Sequence, residues 1–327
     1  MSIKHNINPE PLAYSVRGNT IETIHYGWIC ILNKYKKIIY KKGNILNKTF
    51  LRSSAKPIQS IPIIDNNLKI SPQELAIACG SHTGSKKHIE LLKAFLKKND
   101  LKISDLQCGI HLPYDESEKK RLITHNLTPS PLHNNCSGKH IGMLSICKKN
   151  DWELKTYINP NHPLQQYILK KISELAETQD ISMAVDGCGV PTFALSFEKI
   201  ATIFSNFTEQ ENNNFKKIIS CMTMFPYIVG GINQIDSEIM KASNGNLISK
   251  VGAEGLIVFG FNGNSAVIKI ADGNQKIRSH VALKLLSELE WISEKRFKNP
   301  VIKEIQSNKI KNHTGKIVGK IQLLANI

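Results

Sequence analysis

Ser53 and Lys56 stand three residues apart in Arg52-Ser53-Ser54-Ala55-Lys56, just where an apolar stretch begins with Pro57, Ile58, Ile61, Ile63 and Ile64. On a helix, side chains at i and i+3 share a face, with Cβ atoms about 5–6 Å apart. A lysine that has lost its proton can take the proton of a serine hydroxyl and turn that oxygen into a nucleophile. Pro57 predicts that the pair opens a helix, because proline is tolerated in the first turn and not beyond it. There, the positive end of the helix dipole and the free backbone N–H groups would face a developing oxyanion. By spacing alone, a helix cap followed by a solvated lysine is the better reading, and Ser104 and Ser117 also have lysines nearby. The rest of the chain has to decide.

Three further constellations carry chemistry. Ser81 lies in the small polar loop Cys79-Gly80-Ser81-His82-Thr83-Gly84. Cys136 with Lys139 and His140, and Asp186 with Cys188, place two cysteines in small-residue loops far apart in sequence. Such a pair could hold zinc, or could be two buried thiols. Glu254 and Lys269 lie on C-terminal strands, with Lys269 in an apolar alternation between Val267 and Ala271. That lysine is either an electrostatic partner beside a cleft or a solvent-facing cation. His82, His111 and His140 taken singly read as structural.

The elements that would position these residues can be read from periodicity. Residues 12–41 are rich in β-branched and aromatic residues and read as a β-meander. Ser71-Pro72-Gln73-Glu74 carries a capping serine, a proline at the first helical position and an acid three residues after the cap. A helix over 86–98 follows from the stripe Ile89, Leu92, Phe95 and Leu96. Further helices are predicted over 115–126, from 141, from 163 to 177, over 194–204 and over 209–223. A short strand falls near 181–188. After about 225 the strands return over 247–261 and 265–271, then come a helix over 276–292 and a last strand over 314–325. Strands at both ends with helices between them predict an α+β plan: residues 1–60 and 225–327 as a sheet domain, 61–224 as a mainly helical one. The site is then expected in the cleft between them.

Composition narrows the function classes. A chain of 327 residues with 41% hydrophobic content can bury a large core. The net charge of +16 invites nucleic acid or an anionic membrane as a partner. However, the lysines are scattered, arginines are few, and no long basic block is interleaved with aromatics. A solvated basic surface is therefore expected, with no nucleic acid and no membrane as partner. The opening Met1-Ser2-Ile3-Lys4-His5-Asn6 leads into a polar stretch rather than an apolar one, so a cytoplasmic protein is expected. Seven cysteines without an export signal argue against a disulfide framework.

Read together, six stretches resemble one family. They are Arg52 to Pro57, Cys79 to His82, Cys108-Gly109-Ile110-His111-Leu112-Pro113, His133-Asn134-Asn135-Cys136-Ser137-Gly138-Lys139-His140, Asp186-Gly187-Cys188-Gly189-Val190-Pro191 and Lys250-Val251-Gly252-Ala253-Glu254-Gly255. In this order they look like the Rhizobium-type L-asparaginases, the asparaginase II family, over nearly the whole chain. The resemblance implies a fold like the serine β-lactamases and glutaminases, with an antiparallel sheet built from both chain ends, flanking helices and a helical insertion. It also implies a cytoplasmic homodimer that hydrolyses L-asparagine to L-aspartate and ammonia. Position by position, Ser53, Lys56, Ser81 and Lys269 take the catalytic roles, Lys269 by strand alignment. Cys136, Lys139 and Cys188 take the role of ligands to one Zn2+ per subunit. Arg52, His82, Asn135, Asp186 and Glu254 are expected to touch the substrate.

Two departures stand out. Asn233-Gln234-Ile235-Asp236-Ser237 occupies an expected Gly-Arg-x-Asp-Thr pattern, and Ile110 replaces an expected proline. Three alternatives remain at this stage. A glutaminase or another β-lactamase-like amidohydrolase would share the chemistry. A β-lactamase proper would add S-x-N and K-T-G elements, and no S-x-N stands in a fitting loop. A zinc-containing basic protein that binds nucleic acid is the non-enzymatic reading.

Overall fold

A computed structural model describes residues 7–209, 212–293, 295, 296 and 299–326. In chain order the strands are β1 (Glu10–Arg17), β2 (Thr20–Leu32), β3 (Ile38–Lys42), β4 (Lys48–Phe50), β5 (Ser182–Val185), β6 (Pro191–Ser196), β7 (Ile248–Val251), β8 (Leu256–Phe261), β9 (Asn264–Ile270), β10 (Lys309–Lys311) and β11 (Ile317–Leu323). The helices are α1 (Lys56–Gln59), α2 (Ile61–Asp65), α3 (Pro72–Ala78), α4 (Lys86–Lys98), α5 (Glu116–Thr124), α6 (Ser137–Lys149), α7 (Pro163–Ala176), α8 (Phe197–Thr208), α9 (Asn213–Met224), α10 (Pro226–Val229), α11 (Ile235–Ser243), α12 (Gln275–Glu288) and α13 (Pro300–Gln306). The chain divides into two units. One comprises Met1–Ser54, Ala194–Glu209 and Ala242–Ile327, the other Ala55–Phe193 and Gln210–Lys241. The division differs from the one drawn from sequence: 194–209 joins the sheet, while 55–60 and 225–241 join the helices. The apolar face of α8 explains the first difference. Its Phe197, Ile200, Ala201 and Phe204 are buried, and the helix packs on β2, β8 and β9.

The first unit is an antiparallel sheet in the order β10-β11-β1-β2-β9-β8-β7, with β3 also paired to β2. Strands from both chain ends interleave, since β1 pairs with β11 and β2 with β9. β2 organises the sheet. Its first half pairs with β1 and its second half with β3, while β9 runs along the other edge of that second half. Trp28 through Leu32 are all buried, so this half reads as a continuous apolar run rather than an alternation. Trp28 stacks on Phe197 at a centroid distance of 5.3 Å. Helix α12 packs on β1, β8 and β9. This is the α+β fold with a two-ended sheet that the sequence predicts.

The second unit is mostly helical. The capping box at α3 forms as expected: Glu74 N–H donates to Ser71 Oγ at 3.2 Å and Ser71 N–H to Glu74 Oε2 at 2.7 Å. In α4, Ile89, Leu92, Phe95 and Leu96 are the buried stripe. Helix α6 is buried from Ser137 to Cys147 on every face, as a central helix must be. It meets α3 closely at Gly138, where a Cβ would lie 2.4 Å from the Ile77 carbonyl oxygen. Gly138→Ala must push the two helices apart. It is expected to destabilise by about 1–3 kcal/mol, read as a lowered denaturant midpoint with unchanged slope. All seven cysteines are free and buried, so there is no disulfide framework. Among the described residues no helix is long and apolar enough to cross a membrane.

Candidate active site

In the helical unit, Lys56 is the first residue of α1 and Pro57 the second. The predicted helix start is therefore in place, one residue after the 3-10 turn Arg52–Ala55 that carries Ser53. Lys56 is fully buried. Its Nζ donates to the Gly80 carbonyl at 2.6 Å and the Asn135 carbonyl at 3.1 Å, and lies 2.9 Å from Ser81 Oγ. A carbonyl can only accept. A neutral amine would thus give its two protons to Gly80 and Asn135, leaving its lone pair for the Ser81 hydroxyl. That is the arrangement of a general base on a serine. The Ser81 loop is fixed from behind by α10, with Ser81 N–H donating to the Val229 carbonyl at 2.8 Å. A Cβ at Gly80 would stand 2.7 Å from that same oxygen, so only glycine allows the approach.

Asn135 is held from two sides. Its N–H donates to His111 Nε2 at 3.1 Å, and its Oδ1 lies 3.3 Å from Cys136 Sγ. Asn134 Nδ2 donates to the Cys108 carbonyl at 2.7 Å, while its Oδ1 accepts from Cys136 N–H at 2.9 Å. The 108–112 loop therefore clamps the loop that presents Asn135 to Lys56. Neither His111 nor Asn134 was singled out for this role by sequence, because residue type and spacing say nothing about which loop a side chain crosses to. His82, expected on the substrate, is fully buried and used otherwise. Its Nδ1 accepts from Gly84 N–H at 3.1 Å, which leaves Nε2–H to donate to Ser137 Oγ at 2.9 Å. Burial and the neighbouring cations hold its imidazole well below the usual range. It is a neutral strut between the Ser81 loop and the head of α6.

Cys136, Lys139 and Cys188 converge. Each is buried, and Lys139 Nζ lies 3.0 Å from Cys188 Sγ. α6 supplies the first two at its N-terminus, and the turn Asp186–Val190, closed by Asp186 N–H on the Val190 carbonyl at 2.9 Å, supplies the third. The Cys188 hydrogen bond pulls Cys136 well below the ordinary thiol range against its burial. The same bond, with burial, pushes Cys188 above it. Burial disfavours the charge on Lys139, but Cys188, Cys136 and Asp186 together raise its amine above the usual value. Two sulfurs and an amine fit a cation that takes tetrahedral nitrogen and sulfur ligands, with a fourth position to spare. Among the described residues, no three or more His, Cys, Asp or Glu side chains gather to hold a metal; the third donor of this set is an amine. Asp186 is half-buried, with Oδ1 accepting from Gly187 N–H at 2.8 Å.

The sheet unit holds the remaining candidates. Arg52 takes a left-handed backbone, φ 48°, just before half-buried Ser53. Non-glycine residues in that region cost free energy and cluster at functional sites. Ser54, not Ser53, turns inward, donating from Oγ to the Leu51 carbonyl at 2.6 Å. A Cβ on Gly252 would lie 3.0 Å from that carbonyl oxygen, so the Ser53 turn sits beside the turn 252–255. Glu254, also left-handed at φ 57°, exposes its side chain, and its carbonyl accepts from Lys269 Nζ. Lys269 also donates to the Ile270 carbonyl at 3.0 Å. Burial, its largest influence, lowers the Lys269 amine, opposed by Glu254 and Asp272. In the helical unit, Gln234, at the expected arginine, is exposed just before α11.

The family described as L-asparaginase II matches residues 13–323. The chain belongs to the L-asparaginase II family. It is a hydrolase of that family, with a small-molecule amide as its class of substrate. No curated protein matches it. Among solved structures, a β-lactamase from Mycobacterium bovis is similar at 9% identity, with a TM-score of 0.42 over 81% of this chain and 95% of that one. A candidate β-lactamase from Bacteroides dorei is similar at 11% identity, with a TM-score of 0.42 over 79% and 92%. At that overlap nothing rests on either; the fold is read from the strand order.

Proposed function

We propose that this L-asparaginase II family member hydrolyses the side-chain amide of L-asparagine to L-aspartate and ammonia through a serine acyl-enzyme. The observation that carries the reading is the buried Lys56 amine, held by two carbonyls with Ser81 Oγ at 2.9 Å. Ser53 attacks the amide carbon and Lys56 takes its proton. The C–N bond then breaks, and the proton passes to the departing nitrogen, which leaves as ammonia. Water, deprotonated in turn, resolves the ester. Ser81 and Lys269 relay protons. Arg52, Asn135, Asp186 and Glu254 are the residues offered to the substrate's polar groups. Cys136, Lys139 and Cys188 would hold one Zn2+ per subunit. Bound there, it supplies a positive charge that orients the substrate. On the family resemblance alone, we place the enzyme in the cytoplasm as a homodimer.

The same observation favours a second reading in which Ser81 is the nucleophile, because Ser81 is the hydroxyl bonded to the lysine. The reaction class does not change, only the ester-bearing residue. The test of the proposed function is ammonia release from asparagine and from glutamine, each with and without a chelator. Faster release from asparagine is expected. Faster release from glutamine would move the substrate assignment to glutaminase. No ammonia from either would overturn the reading.

A further inference from the structure

Lys56 is held by two carbonyls, and each belongs to a peptide whose N–H is tied down on the other side. In a trans peptide the C=O and N–H point in opposite directions, so fixing one aims the other. The Gly80 carbonyl shares its peptide with Ser81 N–H, which donates to the Val229 carbonyl at 2.8 Å. The Asn135 carbonyl shares its peptide with Cys136 N–H, which donates to Asn134 Oδ1 at 2.9 Å. The first tie runs from main chain to main chain. The second is made by a side chain, so a substitution can remove it.

Asn134 is itself anchored. It is buried, and its Nδ2 donates to the Cys108 carbonyl at 2.7 Å and the Gly109 carbonyl at 3.3 Å. Two carbonyls at the amide nitrogen and an N–H at the amide oxygen fix which way the group faces. His111 holds the preceding peptide. Its Nε2 accepts Asn135 N–H at 3.1 Å, while the Asn134 carbonyl of that peptide accepts Ser137 N–H at 3.0 Å. An Nε2 that accepts leaves the ring proton on Nδ1, which donates to the Leu112 carbonyl at 2.7 Å. The Tyr114 ring packs against the imidazole at a centroid distance of 5.0 Å. Both peptides that lead to the Lys56 contact therefore take their orientation from side chains rooted in residues 108–112.

We propose that Asn134 and His111 are positioning residues of the general base: they aim the Asn135 carbonyl at Lys56, and so decide whether the free lone pair of the amine faces a serine hydroxyl. The inference rests on the proposed role of Lys56 for its effect on turnover, but the hold on the two peptides can be read without substrate. Neither side chain touches the reacting atoms. Their effect passes through the backbone, where a misplacement of about 1 Å can cost about a hundredfold in rate.

The experiment compares Asn134→Ala, His111→Leu and His111→Gln with the wild-type chain by steady-state ammonia release from asparagine. Hydrogen–deuterium exchange at the Asn135 and Cys136 amides is read alongside, resolved to single residues by mass spectrometry. In Asn134→Ala and His111→Leu, kcat is expected to fall roughly tenfold to a hundredfold with KM little changed. Asn134→Ala should speed exchange at Cys136, and His111→Leu at Asn135, each by about tenfold or more. A glutamine places an oxygen near where Nε2 stands, so His111→Gln should restore most of the rate and the protection. A merely structural role would lower the melting temperature and leave kcat per folded molecule unchanged. Wild-type kcat in either folded variant overturns the proposal for that residue. If Asn134→Ala fails to fold, the His111 pair decides: a fall that His111→Gln does not reverse overturns it. If the wild-type chain releases no ammonia, the proposed function falls instead, and exchange decides the positioning: amides as protected in the variants as in wild type overturn it.

Discussion

Lys56→Met is expected to lower amide hydrolysis by at least about a thousandfold, or roughly 4 kcal/mol of transition-state stabilisation, while leaving the protein folded. Methionine fills the same fully buried space but has no N–H to donate and no basic nitrogen to take a serine's proton. The change leaves the Gly80 and Asn135 carbonyls without the amine that now serves them. An orphaned buried acceptor costs about 1–3 kcal/mol. Against that, an amine no longer has to be taken out of water, which offsets part of the loss. Rate and stability should therefore separate, with ammonia release nearly abolished and the melting temperature only modestly lowered. Turnover within tenfold of wild type, in a variant with a native melt, would sink Lys56 as the base.

Two companion variants assign the ester. If Ser53 is the nucleophile, Ser53→Ala should show no covalent adduct by mass spectrometry under rapid quench, while Ser81→Ala keeps a slow one. The opposite pattern selects Ser81. The relay role predicts that the non-nucleophilic serine costs about 10²–10⁴-fold in rate, the usual yield of a positioned proton-transfer group. An unchanged rate in Ser81→Ala would exclude Ser81 from both roles.

How much of this was legible in the sequence differs element by element. The helix at Pro72 was written in full, because a capping box is a local code in which Ser71 and Glu74 satisfy each other's neighbours. α4 was legible for the same reason, its stripe recurring at helical spacing. The two-ended sheet followed from where β-branched residues concentrate. The boundary of the units was not legible at 194–209. A helix with one apolar face declares that it is buried, but not whether a sheet or a helix bundle covers it. The site shows the same limit. Ser53 and Lys56 were visible as a spacing, yet the contacts that hold Lys56 come from Gly80, Ser81 and Asn135, which are 24, 25 and 79 residues away. By itself His82 read as structural, and only the resemblance offered it to the substrate. The structure instead spends both its nitrogens on Gly84 and Ser137. Cys136 and Cys188 were visible as a pair that could hold zinc, but only the resemblance, which carries position without contact, made Lys139 a third ligand.

That set makes the second large prediction. Cys188→Ala and Cys188→Ser are both expected to lose bound zinc, from about one per chain to near none by elemental analysis, since a structural or orienting zinc needs a thiolate that neither side chain supplies. Their stabilities should differ. In Cys188→Ala the Lys139 amine, no longer a ligand, is left buried without the sulfur 3.0 Å away, and an unsatisfied buried polar group costs about 1–3 kcal/mol, more when charged. Cys188→Ser leaves a hydroxyl that can still accept from the amine, so its loss should be smaller. A ligand that binds only the folded state stabilises it by mass action. Chelator should therefore lower the wild-type melting temperature towards that of Cys188→Ser and leave the variant unmoved. A chelator shift of the same size in both proteins would place the metal elsewhere. Wild-type zinc content in the two variants would remove Cys188 from the ligand set, leaving its contact with Lys139 as a buried hydrogen bond that serves the fold.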